Sequence, residues 1–369
     1  MTRKRRGRGE GSIYRRRDGR WCACLSGGYN AKGKRRRRIV YGATKQEVQA
    51  KLVKAHATGI PETTKLTVGE FLSRWLKTTV EPSLAASTAV RYEQIIRLHI
   101  SPYLGGTRID KLAPIHVEQL FAEQERQKVS VRNRELAGVV LQIAMGHAVR
   151  LKLIPFNPCH DIKKPRPPKR QMRVWDKNQV DAFFKAAEED RLHAMYVLAL
   201  TAGMRMGELF ALEWSDVDFD AAVVTVNKSL EELGGKYRIK HPKTAAGRRR
   251  IDLPQFAVRS LHEHRKRMLA EGHVVGCPVF CDLEGGHLRR PNVVRRSFQA
   301  IMRRAGVPWI RFHDLRHSCA TLLLRVETNP KIVAERLGHA SIEVTLNTYS
   351  HVLPSMQRAA ADKLDRLFG

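Results

Sequence analysis

A chain of 369 residues and 42.0 kDa is long enough for two or three domains, and a 43% hydrophobic share excludes wholesale disorder. Lys and Arg number 67 against 36 Asp and Glu, giving +31 and a pI near 10.5. So many uncompensated cations predict a polyanionic partner, because each phosphate contacted releases condensed counterions. The cysteines (Cys22, Cys24, Cys159, Cys277, Cys281, Cys319) lack the spacing of a disulfide framework or a zinc site and read as reduced thiols. No segment approaches the roughly 20 apolar residues of a membrane span, and no signal peptide follows the basic N-terminus. A soluble, cytoplasmic protein with no membrane contact is expected.

The first sixty residues hold 18 Lys/Arg and 3 Asp/Glu, about half of the whole net charge. Within them Gly11–Tyr14, Trp21–Leu25 and Arg38–Tyr41 alternate apolar with polar side chains. Asp18-Gly19 separates the first two runs, and Asn30 and Gly33 precede the third. This pattern predicts a three-stranded antiparallel sheet. Thr44 as N-cap, with Glu47 three residues on, opens a helix to about Ala57. A basic sheet backed by one helix fits the DNA major groove, with Arg35, Arg36, Arg37 and Arg38 as contact candidates. A solvated basic run is the plainer reading of those four.

Pro61 and Thr63-Thr64 read as a linker, and helical spacing runs from Val68 to about Asn157. Phe71, Leu72, Trp75 and Leu76 mark one helix, and Val90, Ile95, Leu98 and Ile100 a second, with Ser87 as its N-cap. Val117, Leu120 and Phe121 mark a third, and Val139, Val140, Ile143 and Ala144 a fourth. Among its basic residues, Arg91, Arg97, Arg132 and Arg134 either face DNA or are solvated surface. Asn157-Pro158 and Lys163–Arg170 then form a basic, proline-rich linker that resists helix formation.

Beyond Trp175, helices are predicted near 177–189, 192–202, 205–213, 255–271, 291–305, 313–326, 329–337, 341–348 and 354–368. Short strands are expected at Val223–Val226, Tyr237–Ile239 and Arg250–Leu253. The expected domains are 1–60, 65–160 and 172–369.

This last region carries isolated polar residues in apolar helical surroundings. Arg205 follows Gly203-Met204 at the start of an apolar helix, with Glu208 one turn on. His313 and Arg316, three apart, share a helical face. Leu337-Gly338-His339 and Thr348-Tyr349-Ser350 complete the set, and Lys243 sits in a hairpin turn. Taken singly, Arg205 reads as an ion-pair partner of Glu208, each histidine as a structural group, and Tyr349 as packing. His262 and His264 lack the spacing of a helical metal site, and His317 and His351 read as mere neighbours of the candidate positions.

Jointly and in order, Arg205, Lys243, the His313-x-x-Arg316 box, Leu337-Gly338-His339 and Tyr349 resemble the active-site signature of the tyrosine recombinase (phage integrase) family. The middle segment resembles that family's helical, SAM-like core-binding domain, and the N-terminal sheet its arm-type DNA-binding domain. The implied fold is multidomain, mostly α with small β elements. A three-stranded sheet plus helix precedes a four-helix domain and an α+β catalytic domain. The implied activity is site-specific DNA recombination in an integrase of a phage or integrative element, through a 3′-phosphotyrosine and a Holliday junction. Integration, and excision with it, follow from that resemblance.

The chemistry of a phosphodiester supports these roles. The bond repels nucleophiles, so the non-bridging oxygens must be neutralised and the leaving oxygen protonated. Arg205 and Arg316 would clamp the phosphate, and His339 would add a hydrogen bond. Tyr349 would attack, with a base such as His313 to help it. Lys243 would protonate the 5′-oxygen as the resemblance implies, and Glu208 would orient Arg205. No metal, cofactor or ATP is expected, since the chain has no phosphate-binding GxxxxGK(S/T) loop and no carboxylate cluster suited to two metals.

The resemblance implies double-stranded DNA with crossover and arm sites as partner, and a homotetramer on it. It also implies a directionality factor and a host DNA-bending protein, with work at a bacterial nucleoid. Three departures remain open: a resolvase-type recombinase, a non-catalytic DNA-binding protein of the same fold, and a type IB topoisomerase. Gly247, where the family often has Ser, is expected to loosen the loop bearing Lys243.

Overall fold

In a computed structural model of the chain, residues 12–16, 19–29, 35–58, 65–168, 172–242, 247–273, 276–349 and 354–368 are described. They fall into two units divided between Lys169 and Arg170.

In the first unit, strands Ser12–Arg15, Trp21–Tyr29 and Arg35–Gly42 form the antiparallel sheet in chain order. Cys22 pairs with Tyr14 on one side and Tyr41 on the other. The pleat sends Ala23 and Leu25 to one face, where they bury against Val48, Leu52 and Ala55 of the helix Lys45–Thr58. Thr44 accepts from the Glu47 backbone at 3.2 Å, and the Glu47 carboxylate takes the Ala43 N–H at 2.9 Å. Tyr14, Ile39 and Tyr41 stay exposed, with the Arg16 guanidinium 5.7 Å from the Tyr41 ring centre.

Four helical runs follow. Val68–Trp75 opens on a capping box between Thr67 and Glu70 and widens into a π turn over Leu76–Val80. Ala86–Ile95 does the same over Ile96–Ile100. Pro114–Arg126 and Val131–Arg150 complete the set. Their shared core holds Phe71, Leu72, Trp75, Ile95, Ile100, Leu120, Val140 and Ala144.

Details of the second run differ from expectation. It starts at Ala86 with Ala85 as an N-cap that offers no side-chain bond, so Ser87 lies inside the helix. Leu98 is 51% exposed because the π turn inserts a residue and rotates the face that 3.6-residue spacing assigns to the core. The candidate basic residues are engaged by neighbours. Arg97 pairs with Glu93 at 2.8 Å, Arg132 with Glu135 at 2.6 Å and Arg134 with Glu125 at 3.0 Å, and Arg91 donates to Asn133 at 2.6 Å.

In the second unit, helices Lys177–Ala187, His193–Thr201, Gln255–Ala270, Gln299–Ala305 and Phe312–Arg325 surround one apolar core. An aromatic cluster organises it. Trp175 lies 4.8 Å from Phe183 between ring centres, and Phe298 contacts Trp175, Phe183, Tyr196 and Phe312. The Trp175 backbone N–H donates to the Ser318 hydroxyl at 2.9 Å and its indole N–H to the Pro308 carbonyl at 2.8 Å, tying Trp175 to the middle of the Phe312–Arg325 helix and to the segment before it.

Strands Val217–Asp218, Val223–Val226 and Arg249–Asp252 make one small sheet, and Ser229–Leu233 with Lys236–Lys240 a hairpin. Helices Pro330–Leu337 and Ile342–Tyr349 pack beside the Phe312–Arg325 helix, and Pro354–Phe368 ends the chain. The mostly helical fold with small sheets and an N-terminal three-stranded sheet is as the sequence predicts. All six cysteines are free. Among the described residues no helix is long and apolar enough to cross a membrane.

Candidate active site

Gly203 sets the geometry of the site. Its φ of +61° lies in the left-handed region, and a Cβ there would fall 2.4 Å from Leu337 Cδ2. The tight turn aims its carbonyl at Arg316, whose Nη1 donates at 2.8 Å. Two residues on, Arg205 is the N-cap of the short helix Met206–Phe210.

Arg205 is 41% exposed at its side chain, and its Nη1 lies 2.8 Å from Glu208 Oε1. Its backbone N–H donates to Glu208 Oε2 at 2.9 Å, and its Nη2 to the Gly338 carbonyl at 3.4 Å. The carboxylate therefore already occupies this short helix's first turn, so the anion-binding capacity here resides in the guanidinium rather than the helix end.

Glu208 is buried and shared. Arg249, equally buried, places Nη2 2.8 Å from Oε2 and Nη1 3.2 Å from Oε1. Its Nε donates to the Arg336 carbonyl at 2.7 Å. Burial alone pushes the Glu208 carboxyl up, but Arg249 and then Arg205 more than offset it and hold it below the ordinary carboxylate range.

Arg316 is only 3% exposed and has no carboxylate partner among its hydrogen bonds. Its Nη2 is buried with no partner among the described residues. Burial, and next the neighbouring Arg205, pull the guanidinium down to about 9. Such an uncompensated buried cation is costly unless an anion joins it.

Tyr349 is 1% exposed, packed against Ala320, Leu324, Val333 and Leu337. Its hydroxyl lies 2.8 Å from His317 Nδ1. Burial raises the phenol above its ordinary value, and the Arg316 charge opposes the rise. His317 is pulled down to about 4, first by burial and then by His313, whose ring stands edge-on 5.0 Å away. His313 itself lies at the open edge of the cluster, lowered by burial and by Arg316. His339 follows the left-handed Gly338 that ends the Pro330–Leu337 helix, and its Nδ1 lies 2.7 Å from the Thr345 hydroxyl. Burial, then Arg316 and Arg205, bring it down to about 4.

The structure thus gathers Arg205, Glu208, His313, Arg316, His339 and Tyr349 into one cationic cluster around the Gly203 turn. Lys243 lies outside the described residues, between Pro242 and Gly247. A Cβ on Gly247 would fall 2.5 Å from Pro242 Cβ, so this glycine permits a close approach at that point; the loop it was expected to loosen, residues 243–246, lies outside the described residues. Of the four arginines in the Arg35–Gly42 strand, Arg37 is exposed, and the side chains of Arg35, Arg36 and Arg38 lie outside the description.

Two residues escaped the sequence reading. The period of two along Arg249-Arg250-Ile251 puts Arg249 on the face of buried Ile251, a signal that it needs an internal carboxylate. His317, taken for a mere neighbour, is the group hydrogen-bonded to the tyrosine.

A buried, under-partnered guanidinium, a second one at the surface and a phenol held by an imidazole make a cationic site suited to an anion, with a hydroxyl beside it. The model of the phage integrase family matches residues 173–356, and that of the phage integrase N-terminal SAM-like domain matches 67–123. A tyrosine recombinase XerC-like protein of Caldanaerobacter subterraneus is 28% identical over 92% of this chain and 94% of its own. The ICEBs1 integrase of Bacillus subtilis is 26% identical over 74% and 76%. Among solved structures, the Tn1549 transposon integrase with transposon right end DNA matches with a TM-score of 0.70. That match has 21% identity and covers 81% of this chain and all of that one. A lambda integrase tetramer on a Holliday junction matches with a TM-score of 0.57 at 16% identity, over 89% and 95%. The chain belongs to the phage integrase family. It is a tyrosine-type site-specific recombinase, an enzyme that breaks and rejoins DNA strands.

Proposed function

We propose that this chain is the integrase of a phage or integrative element and that it cleaves DNA through a 3′-phosphotyrosine at Tyr349. The observation that carries the reading is Arg316. Its buried, partnerless Nη2 and its depressed basicity fit a phosphate oxygen as the missing partner. Arg205 supplies the second prong of the clamp, held by Glu208. His339 Nδ1 is engaged by the Thr345 hydroxyl, which leaves Nε2 to donate to a non-bridging oxygen in the tautomer that carries its hydrogen there. Lys243 protonates the leaving 5′-oxygen, and His313 stands at the mouth of the cluster. None of these steps draws on a metal or ATP, because the phosphotyrosine conserves the energy of the broken bond.

The basic N-terminal segment, residues 1–60, binds arm sites, and residues 65–160 with 172–369 hold the crossover site. Four copies assemble on two DNA sites and pass through a Holliday junction, the form of DNA to which the lambda integrase tetramer is bound. A directionality factor and a host DNA-bending protein join them. The work is done at the bacterial nucleoid.

The test is a nicked duplex carrying the element's crossover site, incubated in EDTA with wild type and with Tyr349→Phe. A covalent protein–DNA adduct from wild type alone is expected. Binding without an adduct, over several arm-site arrangements, turns the reading to a DNA-binding protein of the same fold. Relaxation of random-sequence plasmid turns it to a topoisomerase.

A further inference from the structure

Resting on the reading of Tyr349 as nucleophile, we infer that His317, rather than His313, holds the Tyr349 hydroxyl and receives its proton during strand cleavage. The two groups are 2.8 Å apart, and His317 sits one residue after Arg316, so one helical turn delivers both the phosphate ligand and the proton acceptor. Their ring centres lie 5.8 Å apart at 57°, which places the imidazole edge, not its face, on the hydroxyl. Apart from the Arg316 charge and the buried Cys319 thiol, which also act on it, Tyr349 is walled by Ala320, Leu324, Val333 and Leu337, none of which can take a proton.

The groups that bear on His317 are mixed. From its own helix come His313, Asp314 and Arg316, and Arg311 stands just before it. His339 faces it from the turn after the next helix, and Tyr349 from the Ile342–Tyr349 helix. Arg336 of the Pro330–Leu337 helix is spent on the Thr201 and Asp252 carbonyls. Burial and the neighbouring cations keep the ring neutral near pH 7. In the tautomer that the proposal requires, the phenol O–H donates to Nδ1 across the 2.8 Å contact and Nε2 carries the ring hydrogen. A DNA phosphate clamped by Arg205 and Arg316 adds negative charge beside the ring and makes it more basic when the proton must move.

The step balances. A lone pair on the Tyr349 oxygen forms the new P–O bond while its proton passes to His317 Nδ1. The bond from phosphorus to the leaving 5′-oxygen breaks with its electron pair, and that oxygen takes a proton from the general acid, the role proposed for Lys243. In rejoining, the 5′-hydroxyl attacks and gives its proton back to the group that supplied it, the bond from phosphorus to the Tyr349 oxygen breaks with its electron pair, and His317 returns the phenol proton.

The experiment measures single-turnover adduct formation between pH 6 and 9.5 on the nicked crossover duplex, for wild type, His317→Ala, His317→Gln and His313→Ala. It is repeated on a duplex with sulfur at the bridging 5′ position, whose thiolate leaves without a proton. Loss of a general base costs on the order of 10²–10⁴-fold. His317→Ala is expected to be about 10²-fold slower near neutral pH on both substrates, recovering about tenfold per pH unit as the phenol ionises unaided.

His317→Gln keeps a polar group near the hydroxyl but has no basic nitrogen, so it is expected to be as slow as His317→Ala. Thermal melting and crossover-site binding confirm that each variant is folded. A pH-independent loss, a loss under threefold, rescue by Gln, or a larger neutral-pH defect in His313→Ala would overturn the assignment. An adduct from Tyr349→Phe equal to that of wild type would instead overturn the nucleophile reading, and with it this one.

Discussion

The two arginines of the cluster live in opposite electrostatic circumstances. Arg205 stands at the surface with a carboxylate that it shares with Arg249, so that corner is nearly neutral by itself. Arg316 is sealed in the core with one backbone carbonyl and a partnerless nitrogen. The first corner is a satisfied structural network with one prong in solvent, and the second is strained until an anion arrives. Stability and anion affinity have been divided between the two ends of the same site.

Replacing Arg316 probes that division most strongly. Arg316→Met is expected to cut single-turnover cleavage by about 10³-fold, the scale of one lost preorganised donor at a developing charge. Its thermal midpoint should equal or exceed that of wild type, because an unpaired buried cation is gone. A fall in midpoint would show that the Gly203 contact outweighs the desolvation of the charge.

Glu208→Gln reverses the pattern. It leaves Arg249 buried without a counter-charge, so stability should drop by about 3 kcal/mol while cleavage falls less than in Arg316→Met. Urea unfolding alongside adduct kinetics separates the two effects, and equal losses of stability in both variants would erase the contrast.

Acid sharpens the comparison further. His317 and His339 are held near 4 in the folded chain against an ordinary value near 6.5. The unfolded chain binds their protons first. Their contribution is therefore present above about pH 6.5 and lost as pH falls toward 4. The thermal midpoint should decline across that window, and the His339→Gln variant should show a shallower decline. The smallest effect belongs to the exposed Arg97–Glu93 pair: Glu93→Gln should shift stability by no more than about 0.5 kcal/mol.

Much of this arrangement was legible beforehand because it is local. Helix bounds from Lys177 to Phe368 depend on period and caps, and most fall within a residue or two of the periodic pattern. Arg205, His313, Arg316, His339 and Tyr349 stand out as polar residues in apolar runs. What escaped is what depends on the third dimension. Leu98 faces outward because a π turn shifts the phase of its helix, and Ser87 lost its cap role to a helix that begins two residues earlier than a Ser87 cap requires. Arg249 looks like one more basic residue among Arg248 and Arg250 until the strand's pleat is weighed. His317 gains its meaning only when a helix thirty residues later brings Tyr349 to it.

The Gly203 turn also has an evolutionary consequence. One residue supplies the acceptor for Arg316, leaves room for Leu337 and reverses the chain before Arg205, so no side chain satisfies all three duties. In a library of every single substitution selected for recombination, that codon is expected to return glycine alone. Lineages that drift at the exposed rim of the cluster are expected to hold this position fixed, and a chain that has lost it is expected to have lost recombination with it.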